Sequence, residues 1–229
     1  VKIEAHPGRD AKTAQVALSN QTGIGKIRYT LDGSKPTPAS PVYESSLAVA
    51  MPVTIRANAF SGGTALAAVR SRELDPQSLL RRGSDELKSC KGALPLRLED
   101  GAGEAGIRYD IDIMDPCWIY PSLDMTGITG IDVRVGTVPN NFQLWHDAAN
   151  VVVHPARAPG GELEIHRDTC DGPLLASLPM AGVSRARPAT LHANLAAQSG
   201  KHDLCFFFTG RSPDYLRAID QVAPVQGRD

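Results

Sequence analysis

The feature that most restricts the fold of this chain is a short alternating segment that ends in an Asp-Gly pair. Residues 27–31 read Ile-Arg-Tyr-Thr-Leu, so apolar and polar side chains alternate with the period of two that a half-buried strand requires. Asp32 and Gly33 follow and supply the positive φ of a tight turn. Pro36 and Pro38 then keep the chain extended. The segment therefore predicts a strand followed by a hairpin turn.

Turn-forming residues recur along the whole chain. Its 229 residues include 21 glycines and 17 prolines, which is typical of short strands joined by turns. This length suits two domains of about 100 residues each. We expect an all-β protein with one β-sandwich over residues 1–75 and a second over residues 93–229. The polar segment 76–92 is expected to be a short, partly helical linker.

The expected strands are short segments bounded by Gly, Pro, Asn, Asp or Ser. They are 2–5, 15–19, 26–31, 53–59 and 66–72 in the first domain, and 94–99, 107–113, 130–135, 141–144, 151–154, 162–167, 189–193, 202–208 and 218–222 in the second. Residues 204–208 are apolar on both faces, which predicts a central strand. Residues 162–167 alternate Glu-Leu-Glu-Ile-His-Arg, which predicts one solvent-exposed face. In the linker, Ser84 is expected to cap a helical turn that holds Glu86.

The charge and hydropathy of the chain exclude two classes of partner. Its net charge of −1 argues against a nucleic-acid partner, which normally requires a basic face. No apolar run approaches the about 18 residues of a membrane span. The sequence begins at Val1 without a signal-peptide pattern, so we expect a processed or excised fragment.

Four cysteines, Cys90, Cys117, Cys170 and Cys205, are widely spaced and form no C-x-x-C motif. Zinc ligands usually come in close pairs, so this spacing disfavours a metal site. The even count suits two disulfides in an oxidising compartment, and three connectivities exist. We favour Cys90–Cys117 and Cys170–Cys205, because each pair joins segments that can be sheet neighbours. Four buried free thiols are the alternative.

The first domain has a resemblance that rests on residue identity. Residues 27–37, then 40–43 (Ser-Pro-Val-Tyr) and 53–60 (Val-Thr-Ile-Arg-Ala-Asn-Ala-Phe), resemble the C-terminal Ig-like domain of bacterial β-N-acetylhexosaminidases of glycoside hydrolase family 20. Residues 79–118 also look like the tail of some proteobacterial hexosaminidases. The resemblance implies an Ig-like appendage, a catalytic domain in the same polypeptide as its partner, and a periplasmic or secreted bacterial location.

The second domain resembles a carbohydrate-binding module of family 6, a jelly-roll-like sandwich. The matching segments are 161–165, 170–174 and 200–210, with Ile219 and Asp220 after them. The resemblance implies a structural calcium held by Glu99 and Asp220, although Arg97 stands where the family often has another Glu. The alternative is that Glu99 pairs with Arg97 or another base and that Asp220 caps a strand end. No other cofactor is expected.

Sugar binding in such modules uses exposed aromatic rings, because the apolar face of a pyranose stacks on them. The candidates are Trp118, Tyr120, Trp145 and Tyr215. Trp118 lies beside a predicted disulfide, which favours packing in the core over a surface platform for this residue. The family's Asn sugar ligand is replaced by Ala218, so that ligand is absent.

No residue is assigned to catalysis. A family 20 hydrolase needs an Asp-Glu pair, and the adjacent pair here, Asp85-Glu86, lies in the polar linker, where a solvated turn explains it. The sequence contains no nucleophile elbow, phosphate loop or metalloprotease motif. We therefore expect a non-catalytic accessory region that braces a catalytic barrel and binds N-acetylglucosamine-containing glycans. The alternatives are a free-standing lectin-like module and a structural interaction domain of a surface protein.

Overall fold

The computed structural model describes residues 1–8, 12–20, 22–91, 95–99, 107–183 and 187–227, without the side chains of Pro95, Glu99 and Arg108. The chain divides into two units, Val1–Leu80 and Arg81–Asp229. Both are built from antiparallel strands, which confirms the predicted all-β class. The described helices are three 3-10 segments, Ser78–Leu80, Ser84–Glu86 and Trp145–Asn150. In the described ranges, no helix has the length and apolarity needed to cross a membrane.

The first unit is a small sandwich of two sheets. Its strands are β1 (Lys2–Pro7), β2 (Thr13–Ser19), β3 (Lys26–Thr30), β4 (Leu47–Ala50), β5 (Val53–Ser61), β6 (Thr64–Ala65) and β7 (Arg70–Leu74). One sheet has the order β1-β2-β4, and in the other β5 pairs with β3, β6 and β7. Alternate side chains of both sheets, including Val16, Val49, Ile55 and Leu74, form one core. The period-two pattern in the sequence therefore located β1, β2, β3 and β5, whereas β4 and β6 were not predicted and the strand predicted over residues 66–72 is observed at Arg70–Leu74.

The Asp-Gly segment forms a tight turn, but the predicted hairpin is wrong. Gly33 has φ +75°, and the Asp32 carboxylate accepts a hydrogen bond from the Ser34 N–H at 2.9 Å. However, β3 pairs with β5 and not with the strand that follows it. Two prolines keep the chain extended after the turn, and it returns only as Val42 bridges Arg28.

The second unit contains two larger sheets and one small one. Its strands are β8 (Arg82–Gly83), β9 (Lys88–Ser89), β10 (Pro95–Glu99), β11 (Arg108–Asp112), β12 (Cys117–Asp124), β13 (Ile128–Pro139), β14 (Glu162–Arg167), β15 (Leu174–Pro179), β16 (Ala189–Asn194), β17 (Lys201–Phe208) and β18 (Tyr215–Gln226). The sheets have the orders β15-β14-β17-β12-β9, β16-β13-β18-β8 and β10-β11. Strand β17, which contains residues 204–208, is central as predicted.

The segment 76–92 is not a separate linker. Leu79 is buried in the core of the first unit, while β8 pairs with β18 and β9 pairs with β12 in the second. One end of the segment packs in the core of the first unit, and the backbone of the other end forms hydrogen bonds in sheets of the second. Few residues are therefore left to act as a linker. The predicted turn at residues 84–86 is present, but Glu86 caps it by accepting the Gly83 N–H at 2.9 Å.

Two predicted strands of the second unit are absent. Residues 141–144 are irregular and lead into the 3-10 helix Trp145–Asn150. Residues 151–154 are extended but join no sheet beyond a single parallel bridge between His154 and Thr209. In the second of these segments His154 packs on the Phe207 ring and Val153 is 53% exposed, so an apolar run of this kind does not by itself identify a strand.

Candidate functional site

The outer face of β14 is covered by residues 151–158, which contradicts the predicted exposure of that face. Glu162 and Glu164 are each only 4% exposed. Val152 N–H donates to the Met114 carbonyl at 2.8 Å, and Gly210 N–H donates to the His154 carbonyl at 2.8 Å. These backbone bonds hold the segment across the sheet, so the polar side chains below it lose contact with water.

Aromatic stacking fixes the middle of this segment. The His154 ring lies 3.9 Å from the Phe207 ring, centroid to centroid, with 26° between the planes. His166 stacks on the same ring at 5.1 Å. Burial lowers the pKa of His154, which keeps its imidazole neutral near pH 7. The middle of the segment is therefore held by stacking of the uncharged His154 imidazole on the apolar Phe207 ring.

Carboxylates fix the end of the segment. Glu164 forms an ion pair with Arg157 and lies 3.0 Å from His166 Nε2. Glu162 accepts hydrogen bonds from the Thr209 hydroxyl and from the Arg157 N–H. The Thr209 hydrogen bond lowers the pKa of the Glu162 carboxyl, because it favours the charged form. Each buried carboxylate thus has hydrogen-bonding partners.

Gly161 lies at the corner where this segment meets β14. Its φ is +72°, and a Cβ atom there would overlap the Thr209 carbonyl oxygen and lie 3.2 Å from a guanidinium nitrogen of Arg217. Only glycine allows both the left-handed backbone and the close approach. Gly161 therefore brings the covering segment and β18 together.

A pocket of about 220 Å³ opens beside this corner. One wall consists of residues 151–154 and another of residues 210–212. Phe208, Tyr215 and Leu216 add apolar and aromatic surface, and Arg211 and Arg217 add positive charge. The Arg217 guanidinium carbon lies 5.9 Å from the centre of the Tyr215 ring. The pocket combines aromatic rings, an apolar lining and a few polar groups, as binding sites for small organic molecules usually do.

Two of the four predicted sugar-binding aromatic residues, Trp118 and Tyr120, are buried. The prediction that they form an exposed platform is therefore wrong. Both rings are 2% exposed. Trp118 Nε1 donates to the Asp110 carbonyl at 2.8 Å, and its ring meets Phe208 edge to face at 5.9 Å. Burial raises the pKa of the Tyr120 hydroxyl. Both side chains point into the sandwich on the same side of β12. They therefore pack in the apolar core and do not form part of the surface.

The other two aromatics are accessible but lie in different places. Trp145 is 80% exposed and begins the 3-10 helix that precedes the covering segment. It does not line the pocket. Tyr215 is partly buried at the start of β18 and does line it. Of the four, Tyr215 is the ring that the fold combines with other potential ligand-binding groups.

The predicted disulfides, Cys90–Cys117 and Cys170–Cys205, are confirmed. They lie side by side on the outer face of the sheet, with Cys90 Sγ 3.4 Å from Cys170 Sγ, and they pack against Phe207. Among the described side chains, Cys90, Cys170 and Cys205 are close enough to share a metal ion, but all three are in disulfides.

The calcium ligands predicted from the resemblance are not assembled by the described side chains. The side chain of Glu99 lies outside the described part of the chain. Asp220 forms an ion pair with Arg134 at 3.0 Å, and Arg97 pairs with Asp110 at 2.8 Å. Calcium requires six to eight oxygen ligands, and one carboxylate beside a guanidinium does not provide them. A calcium ion at this end stays a prediction.

Asp85 and Glu86 have local structural partners. Glu86 caps its own helical turn, and Asp85 lies 3.9 Å from Arg97 at the surface. Sequence reasoning did not identify Gly161, Arg211 or Arg217. The Gly-Gly pair at 160–161 and the Gly-Arg-Ser run at 210–212 were available signals, since both mark turns at strand ends.

Comparisons with known proteins give one family. Residues 6–71 match the Chitobiase/beta-hexosaminidase C-terminal domain. Among curated proteins, no sequence matches the chain significantly.

Similar solved structures include two family 6 carbohydrate-binding modules. The module of Clostridium stercorarium in complex with cellobiose is 13% identical, covers 64% of this chain and 93% of its own, and has a TM-score of 0.42. The β-1,3-glucan-binding module of Bacillus halodurans is 19% identical, with 63% and 93% covered and a TM-score of 0.41.

A family 43 arabinoxylan arabinofuranohydrolase of Bacillus subtilis, in complex with cellotetraose, is 13% identical, with 98% of this chain and 54% of its own covered and a TM-score of 0.43. Identities below 20% and TM-scores below 0.5 carry no inference about ligands. The family match is different in kind, because it rests on sequence over most of the first unit. Residues 6–71 of the chain thus match the model of the chitobiase/beta-hexosaminidase C-terminal domain, in agreement with the resemblance seen in the sequence.

Proposed function

We propose that this chain is a non-catalytic accessory region of a glycoside hydrolase and that its second unit binds a glycan. The proposed parent enzyme is a periplasmic or secreted bacterial β-N-acetylhexosaminidase, with its catalytic barrel in the same polypeptide. The family match at residues 6–71 supports this parent. Two disulfides suit an oxidising compartment.

The observation that carries the glycan-binding proposal is the pocket that contains Tyr215. Ligand pockets for drug-sized molecules begin at about 300 Å³, so a pocket of about 220 Å³ suits one ring-sized unit. A sugar ring offers an apolar face to an aromatic ring and hydroxyls to polar groups. The pocket provides both, with Tyr215 and Leu216 on one strand and the Ser212 hydroxyl on a neighbouring loop.

The proposed ligand is a glycan that contains N-acetylglucosamine. A weak site on an accessory unit is useful because tethering raises the effective concentration of substrate near the catalytic domain without any new chemistry. The first unit is proposed to brace the catalytic barrel.

Calorimetric titration of the full chain with chito-oligosaccharides tests the proposal. We expect millimolar binding or tighter, lost in Tyr215→Ala and retained in Trp145→Ala, because Trp145 is an accessible aromatic outside the pocket. Loss of binding only in Trp145→Ala would move the site to the exposed ring. Silence across a panel of glycans would contradict glycan binding.

An activity assay tests the non-catalytic assignment separately. We expect no turnover of a chromogenic N-acetylglucosaminide by the full chain. Clear turnover that a single carboxylate substitution abolishes would refute the assignment.

A further inference from the structure

The arginines of the second unit differ in how their charge is balanced. Four of them form ion pairs with carboxylates, namely Arg97, Arg134, Arg157 and Arg167. Arg211 and Arg217 form no ion pair with any residue that the structure describes. Both of these line the same pocket. Two guanidinium groups that have no ion-pair partner among the described residues therefore lie at one concave site of the second unit.

The described walls of the pocket contain no acidic side chain. Asp214 is close in sequence, but it is exposed and does not line the pocket. Asn140 N–H donates a hydrogen bond to the Asp214 carbonyl at 3.0 Å, and this bond fixes the backbone of the loop that carries Asp214. No carboxylate in the described walls of the pocket therefore competes with an incoming anion for the two guanidinium groups.

Both guanidinium groups are attached to ordered backbone. Arg217 extends from β18, close to Gly161, and lies over the Tyr215 ring. Arg211 follows Gly210, whose N–H bonds to the His154 carbonyl at 2.8 Å. The Arg217 guanidinium is positioned by the Tyr215 ring before binding, so it loses less freedom when a ligand arrives than the exposed Arg211 side chain does. The partly buried Arg217 gains more from an anion than a fully solvated cation does, because water screens it less.

The chemistry of the two groups indicates the kind of anion. A guanidinium is planar and presents paired N–H donors that match the two oxygens of a carboxylate. An aromatic ring beside it favours the apolar face of a sugar. A ligand that satisfies both features is a sugar ring with a carboxylate attached.

We propose that the pocket binds a sugar unit that carries a carboxylate, with Arg211 and Arg217 on the carboxylate and Tyr215 against the ring. The inference rests on the proposed glycan-binding function and specifies its ligand class. A uronic acid linked to N-acetylglucosamine satisfies both proposals at once. A sulfate ester is a second source of anionic charge, and the test separates it from the carboxylate.

The experiment compares three tetrasaccharides on the full chain by calorimetry at low salt. They are chitotetraose, an oligosaccharide that alternates N-acetylglucosamine with glucuronic acid, and chitotetraose sulfated at the 6-position. We expect the glucuronate oligosaccharide to bind about tenfold more tightly than chitotetraose, the factor that one charge-assisted hydrogen bond contributes. We also expect this preference to shrink as salt is raised, because salt screens exposed charge.

Variants locate the preference in the pocket. Arg217→Gln and Arg211→Gln are each expected to reduce this preference several-fold, measured within each variant as the ratio of its affinities for the glucuronate oligosaccharide and for chitotetraose. Arg187→Gln is the control, since Arg187 is an exposed arginine of the same unit that does not line the pocket. Equal loss in Arg187→Gln would show a general charge effect and overturn the proposal.

The outcomes separate this inference from the proposed function. Equal binding of chitotetraose and the glucuronate oligosaccharide would overturn the carboxylate and leave glycan binding intact. Tighter binding of the sulfated oligosaccharide than of the glucuronate would overturn the carboxylate in favour of sulfate. Failure of all three to bind would overturn both proposals.

Discussion

The two faces of β14 are both buried, but by different means. The inner face carries Leu163 and Ile165, which are fully buried in the sandwich. The outer face carries Glu162 and Glu164, which are 4% exposed under a segment that is not a strand. Apolar burial needs only contact, whereas each outer carboxylate needs directed partners. The comparison shows that alternation along a strand reports polarity and does not by itself report exposure.

The largest effect is expected on the inner face. Phe206→Ala, in the central strand β17, removes a fully buried ring and is expected to lower the free energy of unfolding by about 3–5 kcal/mol. Urea unfolding of the full chain measures this change. Leu174→Ala is the control, because Leu174 is exposed on β15 and its loss is expected to cost less than about 0.5 kcal/mol. Similar losses in both variants would contradict the assignment of the core.

A smaller effect is expected on the outer face. Glu164→Ala removes the acceptor of the largely buried His166 Nε2, and an unsatisfied buried polar group costs about 1–3 kcal/mol. Arg157, whose side chain is 63% exposed, is solvated by water instead. Glu164→Gln retains an acceptor and is expected to lose less. An unchanged unfolding midpoint in Glu164→Ala would show that the covering segment is not held by this carboxylate.

The covering segment also predicts a pH dependence. Burial lowers the pKa of His154 in the folded state, while the unfolded chain takes up the proton at about 6.5. Stability is therefore expected to be complete above about pH 6.5 and to decrease as the pH falls below it. Chemical unfolding at a series of pH values should show this decrease, and His154→Phe should flatten it. A wild-type profile that His154→Phe leaves unaltered would assign the dependence to another group.

The smallest effect is expected where a polar pair lies in water. Lys2 and Glu4, on β1 of the first unit, are 2.7 Å apart, with side chains 65% and 43% exposed. The Lys2 hydrogen bond lowers the pKa of Glu4. Such exposed pairs contribute about 0–1 kcal/mol, so Glu4→Gln should change the unfolding free energy less than Glu164→Gln does. The reverse order would break the comparison between exposed and covered carboxylates.

The sequence was sufficient for local features of the fold. Period-two alternation located most strands, and residues 204–208 identified the central one. The disulfide pairing also followed, because Cys170 and Cys205 lie near neighbouring strands. Each of these features depends either on residues that are close in sequence or on the pairing of one strand with its neighbour.

The candidate site was less accessible to sequence reasoning. Its walls come from residues 151–156 and from residues 208–217, and nothing local shows that these two segments meet. The strand β12 that carries Trp118 was not among the expected strands, and the inward direction of this ring depends on the register of β12 with β17. The polar face of β14 was assigned to solvent, because a covering segment without its own periodic pattern leaves no signal.

The two adjacent disulfides have a consequence for proteolysis. Each closes a covalent ring, one from Cys90 to Cys117 and the other from Cys170 to Cys205. A single protease cut inside either ring opens a loop but releases no fragment, so the nicked molecule keeps its mass apart from one added water. Nicked protein should run as one band without a reducing agent and as two bands with it. Damage to a loop inside either ring therefore does not detach either half of the cut chain.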